Sequence, residues 1–491
     1  MPLPDAVPVQ PENHPEQEGA FSTLPVLREE RIWGFWDFTA VNVGLAIATW
    51  AFLIGGSTAL FVGAKAGIAA IMLGNVIGVS LVALGTCIPS AKYDLEQYTA
   101  LRSVFGSNGT RVIVIALLPL LSMGWNIILA IMLGRAAVNV TNTAFSTDLG
   151  PDSPLVVVFA LASILAAGLL LVKGPVSIEW SNKIVAPGLA LMTVFMIFLI
   201  FAHRSWGDLL AANPLEPFGD KALDFMLAVE INLAAGFSWW TITGNLARLT
   251  RTQRTALWPN MIGLYAAAAL AEVVGLLAAL SLGSIDPTVW MIPLGGTAFG
   301  VLALVFIVFA NITSMVSQTY ASCLGLLRAL GRAAKRIRWA TVVGALLLPS
   351  AVGVLFPSAI YDNFFKFLAW ISLAVAPLCG IYFVDFFFLR RRRLDVRSLY
   401  EGENLSRYAY WGGFNPAALF AVALGSVVYF LLLNPVTFEQ AAFFRFASAS
   451  IPAFLAAGSV HFLLTKLVVQ PLGKGGYAEP EKGASKGRLE R

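Results

Sequence analysis

Apolar runs of membrane-spanning length recur along this chain, and that recurrence restricts the fold more than any single motif. They fall at about 36–62, 68–91, 112–138, 155–172, 184–202, 225–246, 261–282, 297–326, 339–356, 364–389, 416–433 and 447–464. Each is near the ~20 residues that a helix needs to cross a hydrocarbon core. Within lipid the backbone must satisfy its own hydrogen bonds, which leaves helices or closed barrels. Uninterrupted apolar runs of this length select helices. Of the 491 residues, 58% are hydrophobic and only 12% charged, against about 25% charged in soluble domains. The expected class is an all-α polytopic membrane protein with twelve transmembrane helices and no separate soluble domain.

Basic residues set the orientation, because Lys and Arg gather in cytoplasmic loops. With the N-terminus inside, the inner segments hold Arg28, Arg31, Lys92, Arg102, Arg111, Lys173, Lys183, Arg248, Arg251 and Arg254. They also hold the clusters at 328–338 and 390–407 and the basic C-terminal end. Only Lys65, Arg204, Lys221 and Arg445 fall in outer loops, while Arg135 and Lys366 lie within spans. Both termini are therefore expected in the cytoplasm and the protein in the plasma membrane. Residues 1–32 are polar and proline-rich, and read as a disordered tail with no signal peptide. Cys87, Cys323 and Cys379 sit in apolar runs without zinc or disulfide spacing. His14, His203 and His461 form no cluster. No cofactor, no nucleic-acid partner and a monomeric state are expected.

Polar groups inside the spans point to the site. The first run reads Val41-Asn42-Val43-Gly44-Leu45-Ala46-Ile47-Ala48-Thr49-Trp50, then Gly55-Gly56. Each glycine costs about 1 kcal/mol against alanine in a helix interior. Such a run either packs closely on a neighbour or opens its backbone toward a solute, and it is read here as a broken helix. Glu230 precedes an aromatic stretch, Gly236-Phe237-Ser238-Trp239-Trp240, and Glu272 lies mid-span. Ionisable groups at this depth cost about 2.5–3.5 kcal/mol and usually mark function. Glu272 fits a buried ion pair or a transport role, and both glutamates are candidate coupling groups. The eighth run holds Asn311, Thr313, Ser314, Ser317, Gln318 and Thr319 within ten residues. Their hydroxyls are hard oxygen donors suited to Na+, although Ser and Thr can also bond back to their own helix. In the third run Trp125 beside Asn126 suits a flat ligand that stacks on one face and bonds at its edge.

Several of these segments resemble one known family. Ala376-Pro377-Leu378-Cys379-Gly380, followed by Asp385 and Arg390–Arg393, resembles the nucleobase–cation symporter family one, which includes hydantoin, allantoin and cytosine permeases. Gly174-Pro175 through Glu179-Trp180-Ser181-Asn182 to Pro187, and Thr313-Ser314 with Tyr320-Ala321-Ser322, are similar to the same family. The resemblance covers about residues 33–466. It implies a leucine-transporter-like fold: a five-plus-five inverted repeat at 33–203 and 204–400, with helices 1 and 6 broken. Two extra helices would follow at 401–466, and a cytoplasmic tail at 467–491. It implies alternating access and symport of a planar heterocycle with a cation. The implied cation site is the carbonyls of Gly44, Ile47 and Ala310 with the hydroxyls of Thr313 and Ser314. The implied substrate site is Ala48, Thr49, Ser122, Asn126, Gly236, Phe237, Gln318 and Thr319, with Phe237 stacking and Trp125 and Trp239 as further candidates. Na+ is the candidate coupling ion and H+ the alternative. Lys183 stands where relatives carry an aliphatic residue, so it is a candidate substitute for Na+.

Two other readings compete. An amino-acid permease of the same fold would need free helix amides for a carboxylate. An intramembrane enzyme would need paired catalytic groups, and Glu230 with Glu272 is the only plausible pair.

Overall fold

Every one of the twelve apolar runs coincides with helix. The structure, a computed structural model, describes residues 24–171, 175–402 and 405–477, without the side chains of residues 175–185, 332 and 335. The described residues contain no strand, only three isolated bridges. Among them, nine helices are long and apolar enough to cross a membrane, and a bent pair makes a tenth. Helices Trp339–Gly353 and Pro416–Leu432 occupy two further runs but are shorter. Of the expected tails at 1–32 and 467–491, residues 1–23 and 478–491 lie outside the described residues; within 24–32, expected to be disordered, Arg28–Glu30 form a 3-10 turn and Val26 is buried.

The bent pair is α1 (Phe35–Ala46) and α2 (Thr49–Phe61), which meet at 53°. Between them Ile47 (φ −89°, ψ 80°) and the extended Ala48 leave the helical region. Next come α3 (Ala64–Val82), α4 (Arg102–Phe145), α5 (Pro154–Leu171) and α6 (Pro175–His203). The sixth run breaks as well: α7 (Lys221–Ser238) gives way to a 3-10 turn at Trp239–Thr241, then α8 (Thr243–Ala247). The rest of the bundle is α9 (Ala268–Leu282), α10 (Pro287–Leu330), α11 (Trp339–Gly353), α12 (Phe364–Val384), α13 (Pro416–Leu432) and α14 (Ser450–Leu464).

The third and eighth runs are longer than their apolar cores, at 44 residues each for α4 and α10. Both are kinked near their start, at Gly106 (φ 78°) and Gly296 (φ 70°). Positive φ is open to glycine at little cost, so the chain turns there into a short leading segment that hydropathy cannot resolve. Gly106 also lies against the Gly413 carbonyl, where a Cβ would overlap.

Small residues let the central helices touch. Gly55 of α2 lies against the backbone of Glu272 in α9, and Gly275 of α9 against the Phe52 carbonyl. Gly78 of α3 meets Gly236 of α7 in the same way. At the arginine-rich end, Asp385 accepts from Arg390 Nε (2.6 Å) and Tyr477 Oη (2.5 Å) and faces His461 Nε2 (3.3 Å). The guanidinium of Arg390 lies 4.0 Å from the Tyr477 ring. The Asp…Arg element therefore forms a buried ion pair that ties α12 to α14 and to the segment after it.

Candidate functional site at the two helix breaks

A broken helix exposes amides and carbonyls that need partners, and the sequence supplies them from α10. Asn311 Oδ1 accepts from the Thr49 amide (3.2 Å) and the Thr49 hydroxyl (2.9 Å) at the start of α2. Its Nδ2 donates to the Leu129 carbonyl of α4 at 3.1 Å. One buried amide thus joins three helices. The Leu45 carbonyl, at the end of α1, accepts from Trp50 Nε1 (3.3 Å) and Ser314 Oγ (3.5 Å). Thr313 Oγ1 donates to the Ala310 carbonyl at 3.0 Å. Hydroxyls and carbonyls from α1 and α10 therefore converge, and no cluster of His, Cys, Asp or Glu that could hold a metal exists among the described residues.

The second break is held from the segment between α3 and α4. Gln97 Nε2 donates to the Trp240 carbonyl (2.6 Å), and Gln97 Oε1 accepts from the Gly244 amide (2.8 Å). Tyr98 Oη donates to the Thr241 carbonyl at 2.6 Å. Asn245 Oδ1 accepts from the Gln97 amide at 3.0 Å, and its Nδ2 donates to the Ala321 carbonyl at 3.2 Å.

Between the breaks lies a cavity of about 40 Å3, walled by Trp50, Trp125, Trp239, Ile242, Ser314 and Gln318 among others. The three indoles meet edge to face: Trp50 is 6.0 Å from Trp125 and 5.3 Å from Trp239, at 75° and 74°. Trp125 continues the contact to Phe367 of α12 at 5.6 Å. The cavity has room for a few waters and is well below the ~300 Å3 of a ligand pocket, so the rings are closed on one another. Gln318 Oε1 accepts from Thr241 Oγ1 at 3.0 Å, and Asn126 Nδ2 donates to Thr319 Oγ1 at 3.0 Å. Gln318 Nε2, Asn126 Oδ1, Ser122 Oγ and Trp239 Nε1 are buried without a hydrogen-bond partner in the protein. Buried polar atoms are nearly always paired; of these four orphans Gln318 and Trp239 line the cavity, and Asn126 and Ser122 do not.

Trp125, Trp239, Ser314 and Gln318 line the cavity, and Ala48 and Thr49 form the break beside it. Phe237 is fully buried but does not line the cavity, so the aromatic wall is formed by Trp50 and Trp239 instead. Gly236 packs its backbone on Gly78 and faces α3 rather than the cavity. Of the α1 carbonyls it is that of Leu45, which the sequence did not single out, that accepts from Ser314. The parts played by Trp50 and Gln97 emerge only from the structure, as does the bond from Asn311 to the start of α2. Trp50 follows the break directly in sequence, and that adjacency was the available signal.

The two intramembrane acids separate. Glu230 accepts from the amides of Ala449 and Ser450 (3.1 Å each) and from Ser450 Oγ (2.6 Å), capping α14. That bonding accounts for its burial without a part in coupling. Glu272 accepts from Asn75 Nδ2, which also lies 3.2 Å from Asn232 Oδ1; Asn232 Nδ2 donates to Thr58 Oγ1 at 3.1 Å. Glu272 Oε1 has no partner, and no basic side chain pairs with it among the described residues. Among the described residues, then, Glu272 forms no ion pair. Lys183 lies in α6, and its side chain is outside the described residues.

Asn311→Leu should leave the Thr49 amide unpaired in a nearly isosteric setting. An orphaned buried donor costs about 1–3 kcal/mol. The melting temperature should drop by several degrees, as read by thermal unfolding.

A profile of the family described as "Permease for cytosine/purines, uracil, thiamine, allantoin" matches residues 25–448. The hydantoin permease of Microbacterium maritypicum is 26% identical over 265 residues, 52% of this chain and 53% of that protein. The cytosine permease of Escherichia coli (strain K12) is 26% identical over 245 residues, 50% and 52% of the two chains. The chain thus spans about half the length of the curated relatives it matches. The fold is similar to that of Mhp1, a nucleobase-cation-symport-1 family transporter. Its closed conformation with bromovinylhydantoin bound aligns with a TM-score of 0.69 at 21% identity, covering 92% of this chain and 96% of that one. Its inward-facing conformation aligns with a TM-score of 0.70 at 20% identity, covering 96% and 99%. The chain belongs to the permease family for cytosine/purines, uracil, thiamine and allantoin.

Proposed function

We propose that this protein imports a planar, amide-edged heterocycle of the nucleobase, hydantoin or allantoin type across the plasma membrane. Transport is by cation symport with alternating access, as a monomer. All twelve helical runs cross the membrane, the first ten as two inverted five-helix repeats, with both termini cytoplasmic. The observation that carries this reading is the cavity between the two breaks, where indole rings adjoin the unpaired Gln318 amide nitrogen and Trp239 Nε1. A flat ring slides between indoles, and its N–H and C=O groups meet Gln318 and Asn126. An α-amino acid would need the amide at the start of α2 for its carboxylate, and Asn311 already holds that amide.

Oxygen ligands from the Leu45 and Ala310 carbonyls and the Thr313 and Ser314 hydroxyls fit a monovalent hard cation, and Na+ is the proposed coupling ion. Proton coupling is the second reading, favoured by the unpaired buried carboxyl of Glu272. The test is uptake of labelled uracil, cytosine, hydantoin, allantoin and leucine into proteoliposomes under an imposed Na+ gradient or pH gradient. One of the four heterocycles should accumulate, and leucine should not. Trp50→Leu should reduce that uptake at least tenfold, chiefly by raising KM, because it removes an indole from the ring-binding wall. Accumulation of leucine alone would overturn the reading.

A further inference from the structure

A larger cavity, of about 700 Å3, lies at the arginine-rich end of the bundle. It opens where α12 and α14 end and is bounded by the segments that follow them. Among the described residues its wall carries Arg391, Arg393, Arg407 and Lys466 against a single acid, Asp395. That acid is already shared, lying 3.7 Å from Arg407 and accepting from the Ser398 hydroxyl at 3.1 Å. Arg390 also borders the cavity, but its charge is answered by Asp385. Arg391, Arg393 and Lys466 have no acidic partner among the described residues. Like charges drawn around one hollow repel unless an anion sits between them.

The backbone holds these cations in place at some cost. Arg391 (φ 50°) and Arg392 (φ 62°) are consecutive left-handed residues, a conformation that side chains other than glycine and asparagine seldom adopt. The turn is closed by the Arg390 amide donating to the Asp385 carbonyl (2.8 Å) and the Arg392 amide donating to that of Phe386 (2.7 Å). Glycine would fit this turn with less strain, yet the chain carries guanidinium groups there.

The approach to the cavity is apolar. Phe388, at its rim, is 60% exposed, and Leu467, next to Lys466, is 71% exposed. Leu463 lies one turn before Leu467 on the same face, and Leu472 follows; both are exposed. A soluble anion has no use for such a surface. A molecule with a charged head and hydrocarbon tails does, and basic recesses at the membrane surface suit phosphate headgroups. We propose that this cavity binds the phosphate headgroup of an anionic phospholipid, whose acyl chains lie along Leu463 and Leu467.

The test uses the full-length protein, delipidated in detergent and then reconstituted in nanodiscs of phosphatidylcholine alone or mixed with phosphatidylglycerol or cardiolipin. Melting temperature and lipids retained in native mass spectra are read together. The anionic lipids should raise the melting temperature and stay bound. The triple variant Arg391→Gln, Arg393→Gln, Lys466→Gln should lose more than half of that rise. The control Arg254→Gln, Arg336→Gln, Arg338→Gln, which removes three exposed cations elsewhere, should keep it. If the triple variant cannot be purified, Lys466→Gln alone should still weaken lipid retention several-fold. Three results would each overturn the proposal: an unchanged rise in the cavity variants, an equal loss in the control, or the full rise from inorganic phosphate in detergent.

Discussion

Gly55→Ala should prevent recovery of a folded protein. On helix propensity alone the change gains about 1 kcal/mol. Packing decides otherwise, because a Cβ at Gly55 would fall inside the carbonyl of Glu272, a backbone atom that cannot swing away. The crossing is doubly locked, since Gly275 of α9 lies against the Phe52 carbonyl of α2. To admit one methyl group the two helices must separate along their length, and overpacking of this kind costs about 1–3 kcal/mol even where side chains can adjust. The expected result is loss of the monodisperse peak in size-exclusion chromatography, or a melting temperature lower by ten degrees or more. Gly344→Ala is the matched control: no atom lies within 4 Å of the Cβ it would add, and it should leave stability unchanged or slightly improved. If the two variants behaved alike, the close crossing of α2 and α9 would be wrong.

Glu272→Gln should separate substrate binding from proton-driven accumulation. Glu272 is fully buried, and its one hydrogen bond comes from Asn75 in α3, which also reaches Asn232 in α7. Among the described residues no basic side chain pairs with it. Gln resembles a protonated Glu in size and keeps an oxygen for Asn75, so the fold should survive. It cannot release a proton. If coupling runs through this group, uptake driven by a pH gradient should fall at least tenfold while equilibrium exchange of substrate persists. Full pH-driven accumulation by the variant would remove Glu272 from the coupling path and leave Na+ at Thr313 and Ser314 as the coupling route.

Much of this architecture was legible in the chain. Hydropathy alone located all twelve helical runs, and the glycines and Thr49 marked the first run as broken; the break itself falls at Ile47 and Ala48. Within the polar stretch from Asn311 to Thr319, Asn311, Ser314 and Gln318 reach the breaks, while the Thr313 and Ser317 hydroxyls bond back to their own helix. Contacts between distant segments were less visible. Gln97 grips the second break across 147 residues of sequence, from Gly244 back to a loop with no apolar signal. Phe237 and Trp239 are two residues apart, and only the 3-10 turn at Trp239–Thr241 decides which ring reaches the cavity. Glu230 and Glu272 look alike in sequence; one caps α14 and the other has an unpaired oxygen. Those distinctions belong to packing, which periodicity does not encode.

A flat heterocycle is proposed to lodge among Trp50, Trp125 and Trp239 between the two breaks. Equilibrium binding of labelled uracil, cytosine, hydantoin and allantoin to the purified protein, with leucine as competitor, is the decisive test. At least one heterocycle should bind saturably, leucine should not compete, and binding should be at least tenfold weaker in Gln318→Leu, where the unpaired amide is lost. Heterocycle binding that Gln318→Leu and Trp50→Leu both leave intact, or saturable binding of leucine alone, would contradict it.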